Sequence, residues 1–99
     1  MVSQCTPGYL VSIEGGDEYF FTDIKELYYY LNHDMRYRLY KKGKLYYSHL
    51  SANIYHCTRV IRMSSNNYHG IEFKWKEIMG HAYVSCLDNV TRFVFDVEG

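Results

Sequence analysis

Five bases, Arg36, Arg38, Lys41, Lys42 and Lys44, stand close together with no acid among them, and Tyr37, Tyr40, Tyr46 and Tyr47 are interleaved with them. Guanidinium and ammonium groups neutralise phosphates or meet carboxylates, and tyrosine rings stack on unpaired bases or anchor protein contacts. The strip from Met35 to Tyr47 therefore has the chemistry of a binding surface. Its best contacts are Arg36, Arg38, Tyr40, Lys44 and Tyr46. Tyr29 and Tyr30 are outer candidates, because in a Tyr28-Tyr29-Tyr30 run on one helix not all three rings can face the core.

Two ligands suit such a strip. An acidic protein face is favoured, because Tyr and Arg dominate interface hot spots. Single-stranded nucleic acid is the alternative, since a basic, aromatic strand face is how sheet modules hold it. Against the alternative, no RNP pattern is present, and the pI of 6.9 lies well below the value above 9 usual for such domains.

Other residue types capable of chemistry lack the necessary spacing. His49, His56 and Cys57 lie near one another, with His69 and His81 further along. Zinc sites draw on tight pairs such as CxxC or HxxxH, and adjacent strand residues such as His56 and Cys57 point to opposite faces. No metal site or cofactor is expected. Nucleophilic catalysis would need a Cys or Ser with a base in reach, and there is neither a GxSxG elbow nor a known cysteine signature. Glu14, Asp17 and Glu18 flank a tight turn and read as solvated turn formers. Gly15-Gly16 lacks the pattern of a phosphate-binding loop.

These side chains must be positioned by strands. Tyr9, Val11 and Ile13 alternate with polar residues over Gly8–Glu14, Gly15-Gly16-Asp17 is a turn, and Glu18–Thr22 returns as the second strand of a hairpin. Thr22 or Asp23 caps the one helix, expected over about 23–32, with Ile24, Leu27, Tyr28 and Leu31 as its apolar stripe and Asn32-His33-Asp34 as its end. The basic strip reads as a hairpin around a three-residue loop, Lys41-Lys42-Gly43. In that register Tyr40 pairs with Lys44, and Leu39 and Leu45 share one core face. Ile54–Met63 is a strand of mixed pattern, and Ser64–Asn67 a turn. Ile71, Phe73 and Trp75 alternate cleanly until Gly80 breaks the run. Ala82, Val84 and Cys86 form a further strand, and Phe93, Phe95 and Val97 the last.

The expected fold is α+β: a strongly bent antiparallel sheet, or partial barrel, of about six to eight strands with one helix packed on it, as a single domain over residues 1–99.

Charge and cysteine content add context. Residues 1–34 hold six acids against one base, residues 35–76 nine bases against one acid, and residues 77–99 four acids against one base, so the formal charge of zero hides three blocks. Either they neutralise one another on the surface or the molecule is bipolar. Three cysteines without CxxC spacing favour a reducing cytosol over a disulfide framework, and Cys57 and Cys86 sit in apolar patterns. No signal peptide and no membrane-crossing run is seen.

The function that fits is a small non-enzymatic binding protein, of inhibitor or adaptor type, that occupies a surface on a macromolecular partner. Small, motif-free chains of this texture suit accessory proteins of phages and mobile elements. A homodimer is also open, through the charge blocks or through an edge strand such as the last.

Overall fold

The computed structural model describes residues 2–64, 67–88 and 90–96. Five strands form one antiparallel sheet: β1 (Val2–Ile13), β2 (Glu18–Phe21), β5 (His49–Ser64), β6 (Asn67–Ser85) and β7 (Arg92–Phe95), in the order β2-β1-β5-β6-β7. β3 (Tyr40–Lys41) and β4 (Lys44–Leu45) pair separately as a short ribbon. The sheet curls into a half-barrel, and irregular register between Ile54 and Tyr55, His56 and Thr58, and Arg62 and Met63 supplies local bends. Together with the helix α1 (Ile24–Tyr29) this is the expected α+β class with a bent antiparallel sheet. The sheet has five strands among the described residues where about six to eight were expected, because the basic strip pairs only with itself and the run through Gly80 is one strand.

Asp23 caps α1, its carboxylate accepting the Lys25 N–H at 2.9 Å. The helical backbone does not stop at Asn32. It widens into a π turn over Tyr30–Asp34 and tightens into a 3₁₀ turn over Met35–Leu39. No glycine or proline lies between Ile24 and Leu39, and the Asn32 side-chain amide donates to the Tyr28 carbonyl instead of interrupting the winding.

The buried stripe is Leu27, Tyr30, Leu31, Met35 and Leu39. Tyr28 is 39% exposed, although expected in that stripe. Of Tyr29 and Tyr30, at least one of which was expected to reach outward, Tyr29 is exposed while Tyr30 is 7% exposed. On a wheel of 100° per residue the two rings flank the Leu27–Leu31 axis by about 80° each, so helix periodicity does not choose between them. The sheet does. Tyr30 meets Tyr19 and Phe21 of β2 at 5.2 and 5.3 Å, while Tyr28 packs at the rim on Phe93 and Phe95 of β7.

The helical segment covers one end of the sheet, where Val11, Ile13, Leu50, Ala52, Ile54, Ala82 and Val84 complete the core. At the other end β1, β5 and β6 run on as a three-stranded arm, because β2 pairs only with Tyr9–Ser12 and β7 only with Gly80–Tyr83. The arm stretches the molecule to a radius of gyration of 15.3 Å, against about 13 Å for a compact chain of this length.

β6 is one strand through Gly80, where two were expected. Gly80 serves close approach instead of termination: a Cβ there would collide with the Val94 carbonyl oxygen of β7. Trp75 also departs from simple alternation. It adopts φ 54° at a bulge, where β5 advances from His56 to Thr58 while β6 retreats from Glu77 to Lys74. Val97, and Ser65 and Asn66 of the turn expected over Ser64–Asn67, lie outside the described residues.

Candidate functional site

The expected hairpin over Met35–Tyr47 is not formed. Met35–Leu39 belongs to the helical segment, and pairing is confined to Tyr40 with Leu45 and Lys41 with Lys44. The loop is the two-residue turn Lys42-Gly43, both at positive φ (51° and 77°), as a type I′ turn requires. The three-residue register would set Leu39 and Leu45 in one core. In fact Leu39 is buried from the helix and Leu45 is 52% exposed.

This rearrangement divides the candidate contacts. Arg36 and Arg38 sit two residues apart on a 3₁₀ turn, so they project about 120° apart around its axis. Arg38 pairs with Asp17 of the β1–β2 turn and lies 5.3 Å over the Tyr19 ring. One pair of oppositely charged blocks therefore does meet. Arg36 lies 5.9 Å from the Tyr37 ring and lines a different cleft, of about 200 Å³, with Ser85, Cys86 and Asp88. Tyr40 borders both clefts.

Tyr30, an outer candidate, is turned inward by the fold. It is buried in the core, its hydroxyl finds no partner among the described residues, and burial, followed by the neighbouring Tyr19, pushes its pKa above the ordinary tyrosine value. Tyr29 is exposed and stacked on His33 at 4.5 Å. It lines a shallow apolar cleft that shares no residue with the two around the ribbon.

Lys44 and Tyr46 do come together, with Lys41, on one face of the ribbon. Tyr40 pairs with Leu45 and lies on the other face, not beside Lys44 as expected, because the two-residue turn shifts the register. Every residue from Tyr40 to His49 is exposed. The base of the ribbon is fixed, since the Leu39 carbonyl accepts the N–H groups of both Tyr46 and Tyr47 at 2.8 and 3.0 Å. Lys41 Nζ lies 4.5 Å over the Tyr46 ring, and Tyr46 meets Tyr47 edge to face at 4.7 Å. No described acid lies within 4 Å of Lys41, Lys42 or Lys44. Between the ribbon and the acidic turn runs a cleft of about 240 Å³, with Glu14 and Asp17 on one wall and Arg38, Tyr40, Lys41 and Tyr47 on the other.

A second surface escaped sequence reasoning. Residues paired across a ladder share a face, so the register places Leu10, Tyr55, Cys57, Arg59, Ile61, Phe73 and Ile71 on the side of the sheet away from the helix. Leu10 and Cys57 are fully buried there, Phe20 meets Phe73 at 5.6 Å, and Arg59 lies 4.9 Å over Phe20. The available signal was the adjacency of Leu10 with Val11 and of Val60 with Ile61, apolar in both strand phases.

The cysteines are free, and burial raises the pKa of the Cys57 thiol, which disfavours its thiolate. Among the described residues no group of three or more His, Cys, Asp or Glu could hold a metal ion, and no helix is long and apolar enough to cross a membrane. Compared with known proteins, the chain matches no family model, no curated protein and no solved structure.

Proposed function

We propose that this chain is a non-enzymatic binding protein, of inhibitor or adaptor type, which presents the β3–β4 ribbon to an acidic patch on a protein partner. The carrying observation is the unbroken exposure from Tyr40 to His49, with Lys41, Lys42 and Lys44 free of acids among the described residues beside Tyr40, Tyr46 and Tyr47. The rings supply contact area at low conformational cost, and the lysines supply charge complementarity and steering. A type I′ turn anchored on the Leu39 carbonyl presents them already ordered, which lowers the entropy lost on binding.

Relative to the sequence-based expectation, the contact set contracts to Tyr40, Lys44 and Tyr46 and extends to Lys41, Lys42 and Tyr47. Arg38 is occupied by Asp17. Single-stranded nucleic acid is the second reading, supported by the same lysines and rings. The ribbon pairs over only two residues per strand, which leaves little track for successive bases.

Affinity capture from lysate, with quantitative mass spectrometry, tests the first reading. Lys41→Glu/Lys44→Glu and Tyr46→Ala should each lose the partner that the wild type retains, at unchanged melting temperature; retention by both variants refutes it. A salt titration against mixed oligonucleotides tests the second. Three lysines neutralising phosphates give a slope of log affinity against log salt of about −2, and absence of binding at low salt removes that reading.

A further inference from the structure

The arm has two open edges among the described residues, and they are treated differently. Along β6, Glu72, Lys74, Lys76 and Glu77 and the bulge at Trp75 guard the stretch that β7 leaves unpaired. Charges and bulges of this kind prevent edge-to-edge association. β1 has no such guard: Val2–Ile13 contains no charged residue.

The hydrogen-bonding direction of that edge follows from its flanks. The Ile13 N–H donates to Asp17 on the β2 side, and the Glu14 N–H to Ser51 on the β5 side. Backbone groups alternate along a strand, and the β1–β5 register runs without a shift from Val2 to Ile13. Odd residues therefore point away from β5. Beyond the reach of β2 these are Pro7, Cys5 and Ser3. Pro7 stands where its missing N–H would face outward, which ends the usable edge. Ser3 and Cys5 present their N–H and C=O groups outward, with no strand beside them among the described residues.

From this we infer that the Val2–Thr6 edge of β1 pairs antiparallel with the same edge of a second copy, on a two-fold axis through Gln4. In that register Ser3 and Cys5 of each copy exchange backbone bonds with Cys5 and Ser3 of the other. Neither Pro7 is asked for a donor within the paired stretch, and no charges oppose one another. Gln4 faces Gln4 in the non-hydrogen-bonded position, with Cα atoms about 4.5 Å apart. The sheets join into a continuous ten-stranded one, and the exposed Val2 and Met63 come to lie beside the junction. The paired stretch is short, so the dimer belongs to the weak class of interfaces, below about 1,200 Å².

Mild oxidation of the full chain tests the register in a Cys5→Ser background. Gln4→Cys should form a covalent dimer, since its Cα separation falls within the disulfide range. Thr6→Cys faces the same side of the sheet, but its counterpart lies four residues along, about 13 Å away, and it should stay monomeric. In sedimentation equilibrium the wild type should associate as concentration rises from micromolar towards millimolar. Cys5→Pro, which deletes only an outward N–H, should lose that association at unchanged circular dichroism. Cross-linking at positions 4 and 6 at equal rates, or a wild type monomeric throughout, overturns the pairing; the latter would leave the edge for a foreign strand.

Discussion

The two ends of the sheet are built from the same three long strands yet bury their apolar residues unequally. At one end Val11, Ile54 and Val84 are completely buried under the helical segment, with Leu27, Leu31 and Met35 closing the layer. At the other end Cys57 and Val60 are still buried, but Ile71 is about half exposed and Trp75 is 71% exposed. A strand pattern records that a side chain is apolar. Whether anything covers it is decided by elements elsewhere in the chain, here by a helical segment long enough for one end only. Stability should therefore reside in the covered end, leaving the arm free to serve as surface.

The largest effect expected from this contrast is at Leu31. Leu31→Ala should cost about 2–5 kcal/mol in chemical denaturation, as a truncation in a filled core does. Ile71→Ala should cost less than about 1 kcal/mol. Comparable losses at both positions would break the comparison, because the arm would then have a cover of its own. Gly80→Ala ranks next. The added methyl meets the β7 backbone, so about 1–3 kcal/mol should be lost, with exchange protection falling first at Arg92–Phe95.

Titration at alkaline pH sharpens the same contrast. The unfolded chain releases the Tyr30 proton near pH 10, while the folded protein holds it to higher pH, so the unfolded state gains and stability falls as pH rises above 10. Tyr30→Phe should flatten that decline. Smaller still is the effect at the bulge. Trp75→Gly relieves a left-handed backbone worth about 1 kcal/mol and removes a ring that is mostly in solvent, so stability should hold or rise slightly despite the loss of the largest side chain in the arm. Asp17→Asn should be the weakest, at about 0–1 kcal/mol, because its ion pair with Arg38 is exposed.

Much of the fold was legible because local chemistry specified it. Gly15 and Gly16 take the positive φ values their turn demands, Asp23 caps the helix, and Tyr9, Val11 and Ile13 share the covered face. The failures arose where distant residues decided. Tyr28 and Tyr30 are equivalent on a helical wheel, and only β2 and β7 distinguish them. Gly80 resembles a break until β7 crosses it. In the site, the exposure of Tyr40, Lys44 and Tyr46 was legible from the turn and the lysines around it. The capture of Arg38 by Asp17, 21 residues earlier, was not. The ribbon's register was misjudged because a shared core for Leu39 and Leu45 assumed that both belong to strands.

The widened turn at Tyr30–Asp34 has a consequence for how such a surface could be re-aimed. It holds one residue more than an α turn within about one rotation, so deleting a residue there would tighten it to an α turn and leave Met35 and Leu39 facing the core. A deletion within Ile24–Tyr29, where the winding is ordinary, would instead rotate the following chain by about 100° and send the ribbon out on another bearing. The lysine-bearing tip is thereby buffered against a length change at one point of the helical segment and re-aimed by the same change at another, with no strand of the sheet altered.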